Sequence, residues 1–552
     1  MELLRLRKIT QVNTMLKIKK FLKSENCQIT LLVLLALVLR FSWFLYTDNN
    51  LDGDSEGRLL HLYNWMQFHD LSSFIDWLPL HFFLMQGLGT LLSDFINGPR
   101  LVSVFLGSLI IVPLYKIIRY EIGRRLAFLS SLFYALAAVY IPISTVTLSE
   151  ITYTFFLLST IGLLIKFLRE REEKTFVMLT IFTCGLCWLR FEAWPLAALF
   201  FFILFCKRTS THQLTFYASL VFIFCGSILG LGYHYTGDWF RGINYSDYQV
   251  IEAYKLHPTN KLLIRKFTRI IKAFYPTLFI FSLAGTFFLI KKKKMRVYLF
   301  CCWPIFLLLI YKIANNTVSP FMRYFVPTAI LLIPIGIYGF WQIIKSHSWK
   351  IKIVFFLSAL ILEWSASLFF QNYYPYMLWT LPALYLLSLK MKSKQIVSYT
   401  FIIAISMWGY TRKPFTYGGF FHYQKGIETS AHWAKENLPR HSFIILDNSE
   451  TNDQGNWCRQ SGIIPNNLNV IITWPGLNLD YMLTKNYLDK TISAFDKIYF
   501  MTFKTGHLEK YINSRITYFE SLNFNMMAIY EDEVAKIYQL SPVQLATGKD
   551  VE

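Results

Sequence analysis

Three carboxylates within five residues carry the first chemical signal in this chain. Asp52, Asp54 and Glu56 lie in Leu51-Asp-Gly-Asp-Ser-Glu-Gly, directly after the first long apolar run. A carboxylate at a membrane surface loses hydration and needs a partner or a task. Partial desolvation raises its pKa and suits it to take a proton from a hydroxyl or an amine. Neighbouring carboxylates also suit a shared divalent cation. A solvated loop is the plain alternative. Against it, the stretch is long, carries Trp65 and Trp77, and is apolar along one side.

Other charged residues stand out against the apolar background. Glu150, in Thr147-Leu-Ser-Glu, opens a later apolar run, where a helix N-terminus alone would favour an acid. Arg190 and Glu192 separate two short apolar runs. An exposed pair there contributes little, whereas a buried Arg can fork onto phosphate while Glu192 orients it. Lys261, Arg265, Arg269 and Lys272 are spaced to share one helix face. That face suits a phosphate or pyrophosphate, or anionic lipid headgroups. Arg323-Tyr324 begins another apolar run and suits the same phosphate or an interfacial anchor. His81 stands alone in apolar surroundings; packing is its plainer reading, a substrate or metal contact the alternative.

The elements that must position these groups are membrane helices. Of 552 residues, 54% are hydrophobic and only 16% charged, and the charges cluster between apolar runs. Runs of about 17–25 apolar residues mark spanning helices and exclude an ordinary soluble domain. The net charge of +21 sits mostly in short turns, which is a topology signal rather than a nucleic-acid surface. Most of the eight Cys fall within apolar runs. Cys184-Gly-Leu-Cys187 has the spacing of a redox or metal pair, but it has no second pair and lies inside a span, so it reads as packing. Cys458 is alone in the tail and implies no disulfide framework. The first apolar run lacks a small-residue cleavage site, so it reads as a span rather than a signal peptide.

Spans are expected at about 28–46, 101–118, 126–144, 151–168, 176–189, 194–206, 214–233, 273–290, 297–313, 324–341, 351–370, 375–389 and 396–410, roughly thirteen in all. The basic segment 1–27 stays cytoplasmic. An odd count puts the tail outside with the first-loop acids. Keeping 176–189 and 194–206 as two helices leaves every short basic turn inside. The expected fold is therefore a polytopic α-helical membrane protein with about thirteen transmembrane helices (28–411, first outer loop 47–98). A small extracytoplasmic α/β domain follows at 412–552. Its strands are expected at 442–446, 470–474, 497–503, 526–530 and 534–540, with helical stretches at 426–437, 479–495 and 508–522.

These pieces resemble the GT-C membrane glycosyltransferases, most nearly the dolichyl-phosphate-mannose protein mannosyltransferases and the bacterial aminoarabinose transferase. The likeness lies in Trp77-Leu-Pro-Leu-His81, Gly98-Pro-Arg100, Thr147-Leu-Ser-Glu150, Leu189-Arg190-Phe-Glu192-Ala-Trp and Arg323-Tyr-Phe-Val-Pro327. It covers roughly 31–341. It implies a GT-C fold, a polyprenyl-phosphate sugar donor, and transfer to a lipid, glycan or protein acceptor on the extracytoplasmic face of a bacterial inner membrane or an ER membrane. It also implies that a first-loop acid is the base, with Asp54 placed first and Asp52 and Glu56 as competitors. Many relatives carry adjacent Asp-Glu in this loop, whereas here the acids alternate with Gly and Ser. The Trp-Trp-Asp motif of the related oligosaccharyltransferases is absent from the tail. A transporter or flippase of lipid-linked saccharide is the alternative, but the chain lacks the internal repeats and midplane acids such proteins use. A sensor using the spans only as an anchor needs far fewer of them.

Overall fold

A computed structural model of the chain describes residues 24–46, 77–92, 97–241, 275–315, 322–346, 348–369, 394–407, 442–447, 469–473, 497–503, 516–532 and 535–542, with scattered positions in 55–74, 382–386, 429–439 and 509–512. The chain divides into two compact units. The first comprises Met1–Tyr46, Asp70–Asp94 and Gly98–Phe415; the second comprises Thr47–His69, Phe95–Asn97 and Thr416–Glu552.

The first unit is helical, because uninterrupted apolar runs satisfy their own backbone only as helices in lipid. Its elements are α1 (Glu25–Tyr46), α2 (Pro79–Leu92), α3 (Asn97–Leu109), α4 (Ile111–Glu121), α5 (Arg124–Leu136), α6 (Tyr140–Ile143), α7 (Ser149–Glu170), α8 (Glu173–Cys187), α9 (Ala193–Cys206), α10 (Thr211–Thr236), α11 (Pro276–Lys291), α12 (Arg296–Ala314), α13 (Val326–Lys345), α14 (Trp349–Phe369) and α15 (Lys394–Met407). Among the described residues, six helical stretches are long and apolar enough to cross a membrane: Glu25–Tyr46, Asn97–Glu121, Ser149–Glu170, Thr211–Thr236, Arg296–Ala314 and Arg323–Lys345. The expected span at about 375–389 falls mostly outside the described residues.

One expected span is broken. Over 126–144, α5 stops at Leu136, Ala137 is extended, and the chain restarts as the short α6. Pro142 explains the break, since proline removes a helix donor and clashes with the preceding turn. The ring of Tyr140 stacks on Tyr134 at 5.8 Å, and the Tyr275 hydroxyl accepts a bond from the Val139 N–H. By contrast, α8 and α9 are separate helices, as the placement of basic turns requires.

Burial differs sharply among these helices. α13 is buried nearly all round, while α10 leaves large apolar side chains such as Phe222 and Ile223 exposed. A helix apolar on every side belongs in a core or against lipid; α13 is the first case and α10 the second. The contact of α11 with α13 depends on Gly285 and Gly339. A Cβ on Gly339 would collide with the Phe281 carbonyl oxygen, and one on Gly285 with the Ile335 carbonyl oxygen. Small residues allow this close backbone approach between membrane helices. Gly339→Leu should therefore lower the thermal midpoint of the detergent-solubilised protein by several degrees. An unchanged midpoint would show that the two helices can separate freely.

The second unit holds a five-stranded sheet in the order β2-β1-β3-β5-β4. Its strands are β1 (Phe443–Asp447), β2 (Asn469–Thr473), β3 (Ile498–Phe503), β4 (Phe524–Glu531) and β5 (Ala535–Pro542), with α16 (Ile516–Ser521) between β3 and β4. β1 runs parallel to β2 and β3, and β5 runs antiparallel to β3 and β4. Alternate residues Phe443 and Ile445, Ile498 and Phe500, and Tyr538 and Leu540 enter one core with Phe519 and Phe524, as strand periodicity dictates. Inside it, buried Glu509 accepts from the Tyr538 hydroxyl at 2.8 Å and from the Thr502 hydroxyl. The expected strands are all found, within one or two residues at most ends. The expected helix 479–495 lies outside the described residues.

Candidate active site

Three segments of the first unit bring their charged residues together. The first turn of α7 supplies Glu150, which the helix dipole favours at that position. The turn between α8 and α9 supplies Arg190 and Glu192. A short 3₁₀ turn, Met322–Phe325, supplies Arg323 and Tyr324 at the head of α13. The α8–α9 turn is firmly braced. The Trp188 indole N–H donates to the Phe224 carbonyl at 2.9 Å, and the Trp194 indole N–H to the Cys187 carbonyl at 3.0 Å.

Arg190 is the hub. Its Nε and Nη2 donate to the two Glu192 carboxylate oxygens at 3.2 and 3.0 Å, and its Nη1 lies 3.1 Å from Glu150 Oε1. Arg323 Nε approaches the same Glu150 oxygen at 3.9 Å. The Tyr324 ring is shared by both cations, with guanidinium-to-centroid distances of 5.3 Å for Arg190 and 5.2 Å for Arg323. Two arginines and two glutamates thus form a neutral, largely buried cluster. Burial alone works against the Arg190 charge, but the Glu192 and Glu150 carboxylates outweigh it and hold the guanidinium protonated. For Glu192, burial pushes the carboxyl up; the charge and hydrogen bonds of Arg190, aided by Lys312, bring it down to about 2. Both groups keep their charge across the working pH range.

A cavity of about 280 Å³ opens beside this cluster. Tyr153, Arg190, Glu192, Tyr324 and Thr328 line its polar part, and Leu196, Leu199, Ile305, Leu308 and Leu309 its apolar walls. Pro304 within α12 also faces it. A mostly apolar pocket with a few converging polar groups is the usual form of a small-molecule site.

The residues singled out from sequence fall into three groups. Glu150, Arg190, Glu192, Arg323 and Tyr324 are brought together. His81 is fully buried beside them but does not line the cavity. Its Nε2 is 3.1 Å from the Thr147 carbonyl oxygen and its Nδ1 is 3.0 Å from the Thr152 hydroxyl. Only a protonated Nε2 can donate to that carbonyl, so His81 braces the segment leading into Glu150. The remaining residues, Asp52, Asp54, Glu56, Lys261, Arg265 and Arg269, lie outside the described residues. Among the described residues no group of three His, Cys, Asp or Glu forms a metal-binding set.

Sequence reasoning missed several positions. Tyr153 and Thr328 border the cavity without any charge or motif to mark them. Arg100 is buried and donates to the Thr145 and Phe44 carbonyls at 3.1 and 3.4 Å, with its guanidinium over the Phe44 ring. It ties the end of α1 to the strand of chain that precedes Glu150. Arg40 is wholly buried in α1 over the Tyr134 ring. An arginine within an apolar run was the available signal for both.

Residues 77–229 match the family model described as dolichyl-phosphate-mannose-protein mannosyltransferase. That stretch contains His81, Glu150, Arg190 and Glu192. No curated protein matches the chain by sequence. Among solved structures, the chain is similar to ArnT from Cupriavidus metallidurans bound to undecaprenyl phosphate, with TM-score 0.57 and 12% identity over 94% of this chain and 98% of that one. The apo state of the same protein gives TM-score 0.53 and 11% identity over 93% and 97%. The archaeal oligosaccharyltransferase AglB from Archaeoglobus fulgidus is a more distant likeness, at TM-score 0.45 and 13% identity over 86% and 69%. With helices packed as in ArnT and a small mixed sheet in the tail, this chain is a polytopic membrane protein of the GT-C glycosyltransferase fold.

Proposed function

We propose that the protein is a membrane glycosyltransferase that takes its sugar from a polyprenyl-phosphate-linked donor. The observation that carries this reading is the amphipathic cavity beside the Arg190 cluster, in a fold shared with a protein seen bound to undecaprenyl phosphate. A lipid-linked donor needs apolar walls for its chain and fixed polar groups near its headgroup, and the two kinds of lining meet in this cavity.

The chemistry follows from charge. The acceptor oxygen or nitrogen attacks the anomeric carbon, the bond from that carbon to the phosphate oxygen breaks, and the phosphate departs with its negative charge. Cations fixed beforehand stabilise that charge as it develops. Arg323 and the basic face of Lys261, Arg265 and Arg269 are proposed for this role. Arg190 directs three of its five N–H groups at Glu192 and Glu150, so it is a secondary candidate for the same role. The acceptor proton passes to a first-loop carboxylate, Asp54 first and Asp52 or Glu56 otherwise. Transfer is proposed on the extracytoplasmic face, where a nucleotide sugar is absent and a lipid-borne donor is needed. The sugar, hexosyl or pentosyl, is left to the assay.

The test uses the purified full-length protein with polyprenyl-phosphate-linked hexoses and pentoses. Consumption of at least one donor, with release of polyprenyl phosphate, is expected. If every donor class survives incubation with membranes containing native acceptors, the reading is wrong.

A further inference from the structure

Basic turns at the ends of membrane helices are what topology asks for, but one group of them is arranged beyond that need. Trp341, near the end of α13, has two cations over its indole. The Lys345 ammonium lies 4.7 Å from the ring centroid, and the Arg125 guanidinium, from the first turn of α5, lies 5.6 Å from it. A third cation, Lys292 just past α11, donates to the Gln342 side-chain oxygen at 3.1 Å. Trp341 is buried, while all three cations are exposed. The positions are held by packing: α13 lies against both α5 and α11. The turn after α11 is closed by the Lys293 N–H on the Ile290 carbonyl and the Lys294 N–H on the Leu289 carbonyl, both at 3.0 Å.

The charge here is one-sided. Residues 122–136, 286–301 and 341–356 contain ten Lys and Arg and no Asp or Glu. The acid just before α5, Glu121, already accepts from the Met295 N–H at 3.1 Å and pairs with Arg169. Cations gathered in this way repel one another unless an anion joins them. What lies beside them selects the anion. Phe287 and Ile290 on α11, and Ile351 and Val354 on α14, are exposed apolar side chains close in sequence to the basic residues. α11 and α14 also pack together. A soluble anion gains nothing from such faces. An anionic phospholipid uses both parts, its phosphate on the cations and its acyl chains along the apolar helices. An indole suits the depth at which the two meet.

We infer that the start of α5 and the ends of α11 and α13 form a seat for the headgroup of an anionic phospholipid. Arg125 and Lys345 hold its phosphate beside Trp341, and Lys292 completes the cation set. α13 begins at the Arg323 and Tyr324 cluster and runs for 20 residues, about 30 Å. The seat is therefore at the far end of that helix from the candidate active site, and it does not depend on the donor-using reading.

The test titrates the full-length protein in detergent with phosphatidylglycerol and, separately, with phosphatidylcholine, and counts bound lipid by native mass spectrometry. The wild type should retain phosphatidylglycerol in preference. Arg125→Gln and Lys345→Gln should each weaken phosphatidylglycerol binding about 5-fold, the worth of one basic residue at an anionic surface. Binding of phosphatidylcholine should stay as in the wild type, which also reports that the variants are folded. Lys207→Gln is the control. α9 and α13 both start at the Arg190 cluster, so Lys207, just past α9, is an exposed cation toward the same end but outside the seat. It should change nothing. Equal retention of the two lipids by the wild type would overturn the inference. So would undiminished phosphatidylglycerol binding in both variants. An equal loss in Lys207→Gln would reduce the seat to diffuse surface charge and overturn it as well.

Discussion

Arg190→Met should destabilise the protein by about 3–5 kcal/mol, the cost of stripping one partner from a buried ionic group. The substitution keeps most of the side-chain volume, so the effect is electrostatic. It leaves Glu192 and Glu150 without the cation that now meets them at 3.0–3.2 Å. Arg323, at 3.9 Å from Glu150, compensates only in part. Thermal unfolding in detergent is the measurement. The pairing predicts a specific non-additivity: Glu192→Gln in the Arg190→Met background should recover part of the loss, because it removes a buried charge that no longer has its partner. An Arg190→Met protein as stable as the wild type would mean that the cluster is hydrated and not a structural hub. Acidification gives a second readout. Burial pushes the Glu192 carboxyl up, but the charge and hydrogen bonds of Arg190 hold it well below its ordinary 4.5. Its contribution is therefore fully present above pH 4.5 and is lost as pH falls below that through the lowered folded-state value. Glu192→Gln should flatten that part of the stability profile.

Asp54→Asn should lower the transfer rate about 10²–10⁴-fold, the usual contribution of a general base, with donor binding unchanged. The amide keeps the size of the carboxylate and cannot take the proton. Asp52→Asn and Glu56→Gln are the necessary comparisons, since the three acids are spaced too closely for sequence to choose among them. The variant with the largest fall in rate at constant donor affinity identifies the base. Retained transfer by the triple variant would remove the first loop from the chemistry altogether. Loss of donor binding together with rate would instead point to a cation or a positioning role for these acids.

The spans and the strands were legible in the sequence because each depends on a local periodicity. A helix in lipid must satisfy its own backbone, so apolar run length sets its limits, and α7, α10 and α12 begin and end within about three residues of the expected spans. In the tail, alternation and turn residues located all five strands. Charge placement also correctly divided α8 from α9. Where a single residue overrides a long pattern, the reading failed: Pro142 breaks the span expected over 126–144, against an otherwise unbroken apolar run.

Within the candidate site the division is different. Glu150, Arg190, Glu192 and Arg323 were visible because charge is rare in apolar sequence and costly to bury without purpose. Sequence alone could nominate them, and for Arg190 it left open an ion pair with Glu192 or a fork onto phosphate that Glu192 orients. Only the tertiary structure decided that the Arg190 fork closes on Glu192, because residues 190 and 192 turn back on each other between two helices. It also decided that Tyr153 and Thr328 border a cavity. A tyrosine and a threonine in apolar helices carry no signal by type or spacing. Their place at the cavity wall emerges only when packing brings α7, α9, α12 and α13 around one space.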